Sequence, residues 1–228
     1  MQGRRVLVTG ATGALGAGVV AKLLADGAEV YAPMIEAELP AHLPWRADPR
    51  VHAIPKTSLD DEAQVGKLYD VPELWAAIHL VGGFAMAPIT STSLADFEKQ
   101  WRLNLVTCFL GCREAVRAMQ RGKAGGRIVN VAARPVVAPV GGMLAYTTAK
   151  AGVAALTQGL AAEVLGDRIL VNAVMPSIID SGANRAAMPN ADFASWPKPA
   201  EIAETIAYLV SPANALTSGA LVPVFGRA

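Results

Sequence analysis

Tyr146 and Lys150 stand four residues apart in a run with helical spacing, Ala145–Leu165, so the two side chains share one helix face. A free phenol has a pKa near ~10 and is a poor base at neutral pH. An ammonium beside it favours the phenolate and draws that pKa down, which makes the pair a candidate proton-transfer couple. An isolated Tyr-x-x-x-Lys is common on ordinary helix surfaces, so its weight depends on what accompanies it. The second constellation is Thr9-Gly10-Ala11-Thr12-Gly13-Ala14-Leu15-Gly16, placed directly between an apolar run and a helical pattern. Glycines at 10, 13 and 16 let a chain turn sharply, approach a diphosphate closely and pack helix on strand. The helix start then offers free N–H groups and the positive end of its dipole to an anion. Gly10, Thr12, Gly13, Leu15 and Gly16 are therefore candidate dinucleotide-binding residues.

The elements that must hold these groups alternate along the chain. Strand-length apolar runs occur at Val6–Thr9, Glu29–Ala32, Val51–Ile54, Ala76–Val81, Arg127–Val131, Ile169–Val174 and Leu221–Val224. Several are almost wholly aliphatic, as parallel strands covered on both faces require. Helical spacing marks Leu15–Asp26, Asp60–Leu68, Leu94–Met119, Ala145–Leu165 and Pro199–Leu209, with Asp60-Asp61 and Lys198-Pro199 as starts. This order predicts one α/β domain over residues 1–228, a Rossmann-like doubly wound parallel sheet of about seven strands. Ser181–Pro197 reads as a loop at the ligand-binding end of the sixth strand.

Composition excludes several classes. The 228 residues carry 20 basic and 19 acidic side chains, and no block of like charge suggests nucleic acid or an anionic membrane. Mean hydropathy is +0.35, yet the charge-free stretch Pro135–Ala149 holds two prolines and two glycines and is too short to span a bilayer. The N-terminal segment reaches Thr9-Gly10 before a signal-peptide apolar region forms, so a cytoplasmic chain is expected. Cys108 and Cys112 share a helix face, where a disulfide would strain the helix; buried free thiols are expected. His42, His52 and His79 share no ligand spacing with them, so no metal is assigned. The four tryptophans, with Met143 and Met188, are assigned to packing ahead of a substrate pocket.

The ordered motifs resemble the short-chain dehydrogenase/reductase family over nearly the whole chain. Val81-Gly82-Gly83 stands where that family has Asn-Ala-Gly, Asn104 matches its helix asparagine, and Tyr146-Thr147-Thr148-Ala149-Lys150 matches its signature. Gly126–Val131 resembles the fifth strand and Val171–Pro176 the sixth strand with its exit. The resemblance implies an NAD- or NADP-dependent oxidoreductase in which Tyr146 exchanges the proton. Lys150 would hold the cofactor ribose, and with the positive nicotinamide ring would lower the phenol's pKa. Asn104 would order a water in the proton path. It further implies cofactor contacts from Val81, Gly82, Gly83, Pro176, Ile179 and Ser181. The substrate would be a small carbonyl or alcohol. A homodimer or homotetramer would form through Leu94–Met119 and Ala145–Leu165, both rich in small and apolar residues.

Departures from that pattern carry information too. The family's serine 13 residues before the tyrosine is Ala133, so one donor to the substrate oxygen is missing. Relatives that reduce polarised substrates, such as dihydropteridine reductases, also lack it and have a Gly-Gly-aromatic comparable to Gly82-Gly83-Phe84. Arg134, a backbone N–H or a water could replace the hydroxyl, or the substrate could be an activated, imine-like group. Met34 occupies the position of the ribose-binding acid, with Glu36 and Glu38 close behind, and Thr57 replaces an adenine-contacting aspartate. No Lys or Arg occurs from Leu23 to Trp45, which favours NAD over NADP. The rival reading is a cofactor-binding sensor or scaffold with little turnover.

Overall fold

The computed structural model describes residues 1–228. Seven parallel strands form one sheet: β1 (Arg5–Thr9), β2 (Glu29–Pro33), β3 (Val51–Ile54), β4 (Leu74–His79), β5 (Gly126–Val131), β6 (Ile169–Pro176) and β7 (Leu221–Val224). Their order is β3-β2-β1-β4-β5-β6-β7, so the chain reverses its direction of growth between β1 and β4. Ligands of open α/β sheets bind in the crevice at such a point, beyond the carboxyl ends of the strands. β4 and β6 are buried along their full length, which explains their near-continuous apolar sequence.

Side chains alternate across the pleat and feed two layers. Val6, Val8, Val30 and Ile78 pack against α1 (Ala14–Ala25) and α7 (Pro199–Val210) on one face. Leu7, Ala77, Ile128 and Val171 pack on the other against α2 (Glu62–Leu68), α4 (Thr107–Gly122) and α5 (Leu144–Glu163). Trp45, Trp75 and Trp196 are buried, while Trp101 is 39% exposed. No helix is long and apolar enough to cross a membrane.

Three boundaries differ from the sequence reading, each for a local reason. β4 covers Leu74–His79 rather than Ala76–Val81, because Leu80 makes the last bond to Thr9 O and the chain then leaves the sheet past Gly10. The long helix Leu94–Met119 is two helices, α3 (Leu94–Trp101) and α4, joined by a π-turn at Arg102–Val106. The Ser181–Pro197 loop contains a short helix, α6 (Gly182–Ala187), whose N-cap is Ser181 itself. Gly66, exposed within α2, would place a Cβ in open space. Gly66→Ala is expected to raise stability by about 0.5–1 kcal/mol, measured by urea denaturation, since only unfolded-chain entropy changes.

Candidate active site

The glycine turn builds the floor of a cleft at the β1–β4 switch point. Gly10 has φ +71°, a conformation open to glycine at no steric cost. A Cβ on Gly16 would overlap Gly10 O and lie 2.7 Å from Ala11 Cα, so α1 packs on the turn backbone only as glycine. Gly13 caps α1 without a side-chain bond, and no acid occupies the first helical turn. Its N–H groups therefore remain available to an anion. Leu15 is buried beneath them in the core.

The cleft encloses about 620 Å³ and is lined by Gly10, Thr12, Met34, Glu36, Thr57 and Val81 among others. Glu36, two residues past the position counted from Gly16, lines the cleft with its carboxylate, whereas Met34 is buried. Thr12 Oγ1 donates to Glu36 Oε1 at 3.0 Å, while Glu36 Oε2 is sealed from solvent with no partner. An unpaired buried oxygen is costly, and a sugar hydroxyl would satisfy it. Thr57 donates its hydroxyl to Ile54 O at 3.2 Å. Lys99 and Arg102 also line the cleft. Local sequence around β2 holds no base, but α3 and the π-turn bring these two from some 60 residues away.

At the other end of the cleft the tyrosine–lysine helix meets the π-turn. Asn104 is fully buried; its Oδ1 accepts from Gly83 N, and its Nδ2 donates to Gly83 O and Gln100 O. The extra residue in the π-turn releases local backbone groups for this clamp, a frequent use of such bulges. A Cβ on Gly82 would lie 2.7 Å from Asn104 Oδ1 and 3.1 Å from Lys150 Nζ, and one on Gly83 would overlap Leu103. The Gly82-Gly83 pair thus lets the strand exit pass between the two catalytic candidates. Phe84 follows, its ring edge-on to Tyr146 at 5.1 Å. A second pocket of about 320 Å³ opens here, lined by Phe84, Met86, Gln100, Leu103, Gly142 and Ala145 among others.

Lys150 Nζ donates to Val131 O at 2.8 Å and lies 6.0 Å from the Tyr146 ring centre. Burial lowers Lys150 to about 8 and pushes the Tyr146 phenol up to about 12. Helical spacing brings the residues to one face, but desolvation outweighs the cation at this separation. Ala133 is buried at the expected serine position. Arg134 stacks over Phe225 of the C-terminal tail at 5.5 Å, and its guanidinium has no ionic partner.

Pro176 ends β6 beside Val224 of β7, and Ile179 O accepts from Asn184 Nδ2. Ser181 Oγ accepts from Asn184 N at 3.2 Å, so one lone pair caps α6 while its O–H and second lone pair stay free. The sequence reading missed this cap because the helix it starts is six residues long and has no apolar period. It also missed a convergence of thiols and imidazole. His79 has no spacing relation to the cysteines in sequence, yet its ring nitrogen and the sulfurs of Cys108 and Cys112 lie within 4.8 Å of one another. Both cysteines are buried and free.

Comparisons with known proteins place the chain by family and fold. The family model described as short chain dehydrogenase matches residues 4–192. D-threitol dehydrogenase of Mycolicibacterium smegmatis is 27% identical over 250 residues, covering 99% of this chain and 93% of that protein. Levodione reductase superposes with a TM-score of 0.89 at 25% identity, covering 99% of this chain and 97% of that one. ElxO with NADP bound gives a TM-score of 0.90 at 21% identity, covering 99% and 98%, a likeness of fold.

Proposed function

The chain belongs to the short-chain dehydrogenase family of oxidoreductases, and from that premise we propose that it reduces a small carbonyl or activated, imine-like substrate with Tyr146 as proton donor. The observation that carries the proposal is the half-buried Tyr146 side chain, edge-on to Phe84 where the Gly82-Gly83 passage leaves a cleft large enough for a dinucleotide. The glycine cradle and the unpartnered Glu36 oxygen fit a dinucleotide. Gly10, Thr12, Gly13, Leu15 and Gly16 would hold its diphosphate, and Val81, Gly82, Gly83, Pro176, Ile179 and Ser181 its nicotinamide half. When bound, NAD(P)H supplies the hydride.

Tyr146 gives its proton to the substrate oxygen or nitrogen as negative charge builds there. Lys150, anchored on Val131 O, contributes positive charge and ribose contacts from beneath. Asn104 fixes the Gly82-Gly83 passage that separates these groups. With Ala133 in the serine position, the substrate atom receives one side-chain donor instead of two, which favours a substrate that is already polarised. The second pocket, with Phe84 and Met86 on one side and Asp96, Lys99 and Gln100 also lining it, suits a body with an apolar face and polar substituents. The test is titration with NADH and NADPH, followed by turnover on a panel of simple ketones and quinonoid pterin-like compounds. Turnover on the polarised members supports the reading; tight binding without turnover across the panel replaces it with the sensor or scaffold. Ala133→Ser is expected to raise turnover on simple ketones about tenfold, the worth of one hydrogen bond of ~1.4 kcal/mol made in the transition state.

Cofactor choice is proposed to rest on Glu36. Its carboxylate suits a free ribose hydroxyl and repels a 2′-phosphate, and this favours NADH. Glu36→Gln keeps the Thr12 contact and removes the charge. It is expected to shift the NADPH-to-NADH affinity ratio at least about tenfold toward NADPH, read by fluorescence titration. An unchanged ratio would leave Lys99 and Arg102 to set the preference. Pairing of two copies through α3, α4 and α5 is also proposed, on the exposed Trp101 of α3 and Phe109 of α4. Light scattering showing only a 23.7 kDa species at micromolar concentration would reject it.

A further inference from the structure

The geometry points to a buried binding site for a thiophilic divalent cation of the zinc type, formed by His79 Nδ1 with Cys108 Sγ and Cys112 Sγ. His79 ends β4, the cysteines stand one turn apart on α4, and the three residues are at most 4% exposed. Their ligand atoms lie within 4.8 Å of one another, and Cys112 Sγ is 3.6 Å from His79 Nδ1. Zinc–sulfur and zinc–imidazole bonds at tetrahedral angles place those two atoms about 3.6 Å apart. Asn130 Oδ1, on β5, is 2.8 Å from Nδ1 and 3.4 Å from Cys112 Sγ, where a fourth ligand belongs.

The surrounding hydrogen bonds fix the protons that binding must displace. Thr157 gives its O–H to Val153 O, so it accepts from Asn130 Nδ2. Asn130 Oδ1 then faces the imidazole and accepts from Nδ1–H, and Nε2 accepts the Tyr69 O–H. A divalent cation releases the two thiol protons to solvent. The imidazole stays neutral and exchanges its Nδ1 proton for one on Nε2. Two thiolates and one dication leave no net charge in the core, which removes the main penalty of burying ions. Nε2–H then donates to Tyr69 Oη, the outer partner that metal-bound imidazoles commonly have. Gly111 makes room for it, since a Cβ there would lie 2.7 Å from His79 Nε2 and 2.9 Å from Tyr69 Oη. A disulfide across a single helical turn would need distortion of α4, whereas the cation bridges the same sulfurs without it. The ion would tie β4, α4 and β5 together, and the site is reached during folding rather than from the surface.

The full chain is produced in minimal medium containing cobalt(II) as the probe, kept reduced, and its metal content and absorption are measured. The expected result is one cobalt per chain, with thiolate-to-cobalt charge-transfer absorption and the strong visible bands of tetrahedral cobalt. Cys108→Ala with Cys112→Ala abolishes both signals, and the wild-type chain unfolded and refolded in the presence of a chelator melts several degrees below the loaded one. His42→Gln and His52→Gln, at exposed histidines, leave the signals unchanged. Should the double variant not fold by circular dichroism, Cys108→Ala alone is expected to halve the charge-transfer intensity. A folded wild-type chain without cobalt, or one whose spectrum Cys108→Ala does not alter, overturns the site and leaves a hydrogen-bonded core knot.

Discussion

Tyr146→Phe is expected to lower kcat by about two orders of magnitude or more while NADH affinity changes by less than about threefold. General acid catalysis by a positioned group contributes about 10²–10⁴-fold, and here the phenol is the one side-chain donor placed for the task. Burial pushes Tyr146 up to about 12, so at neutral pH the group is fully in its donating form. The ring would stay in place in the variant, since Phe84 packs edge-on against it and no hydrogen bond of the hydroxyl holds it. Cofactor contacts are assigned to Lys150 and the glycine turn, so KM for the cofactor and the melting temperature should both hold steady. A kcat loss accompanied by an equal loss of cofactor affinity would mean a structural role for the tyrosine. Full activity on the true substrate would remove Tyr146 from the mechanism and leave the dinucleotide site alone.

Gly16→Ala is expected to destabilise the chain by about 3 kcal/mol and to weaken NADH binding more than tenfold. The added Cβ would overlap Gly10 O and press on Ala11 Cα at 2.7 Å. Both are backbone atoms of the turn, held by the Gly13-to-Gly10 backbone bond, and cannot swing aside as a side chain would. Overpacking typically costs about 1–3 kcal/mol, and at the upper end, about 3 kcal/mol, a chain of this size loses about 6–12 °C in Tm. Opening the turn also moves the N–H groups of α1 from the phosphate position. Gly13→Ala is the control, because its Cβ would meet only Gly10 O at 3.4 Å. Equal melting temperatures for the two variants would show that the turn relaxes and that close packing of α1 is not what Gly16 provides.

Much of this molecule was legible before any coordinates. Buried parallel strands need aliphatic side chains on both faces, so β1, β4 and β6 announce themselves as apolar runs, and a parallel order then requires the intervening helices. The glycine turn and the Tyr146–Lys150 spacing are local, and local spacing is set by helix and turn geometry that the sequence carries directly. Membership of the short-chain dehydrogenase family was readable from the order of these motifs. Tertiary structure decided what depends on distance across the chain. The tyrosine–lysine spacing places both side chains on one helix face, but how far each is desolvated is a property of the packed interior, and that contribution alone pushes the phenol upward. Lys99 and Arg102 reach the cofactor cleft, and His79 reaches Cys108 and Cys112, only because the β1–β4 crossover and the π-turn bring remote segments together. Sequence spacing fixes which side chains share an element; burial and the meeting of elements fix their charge and their partners.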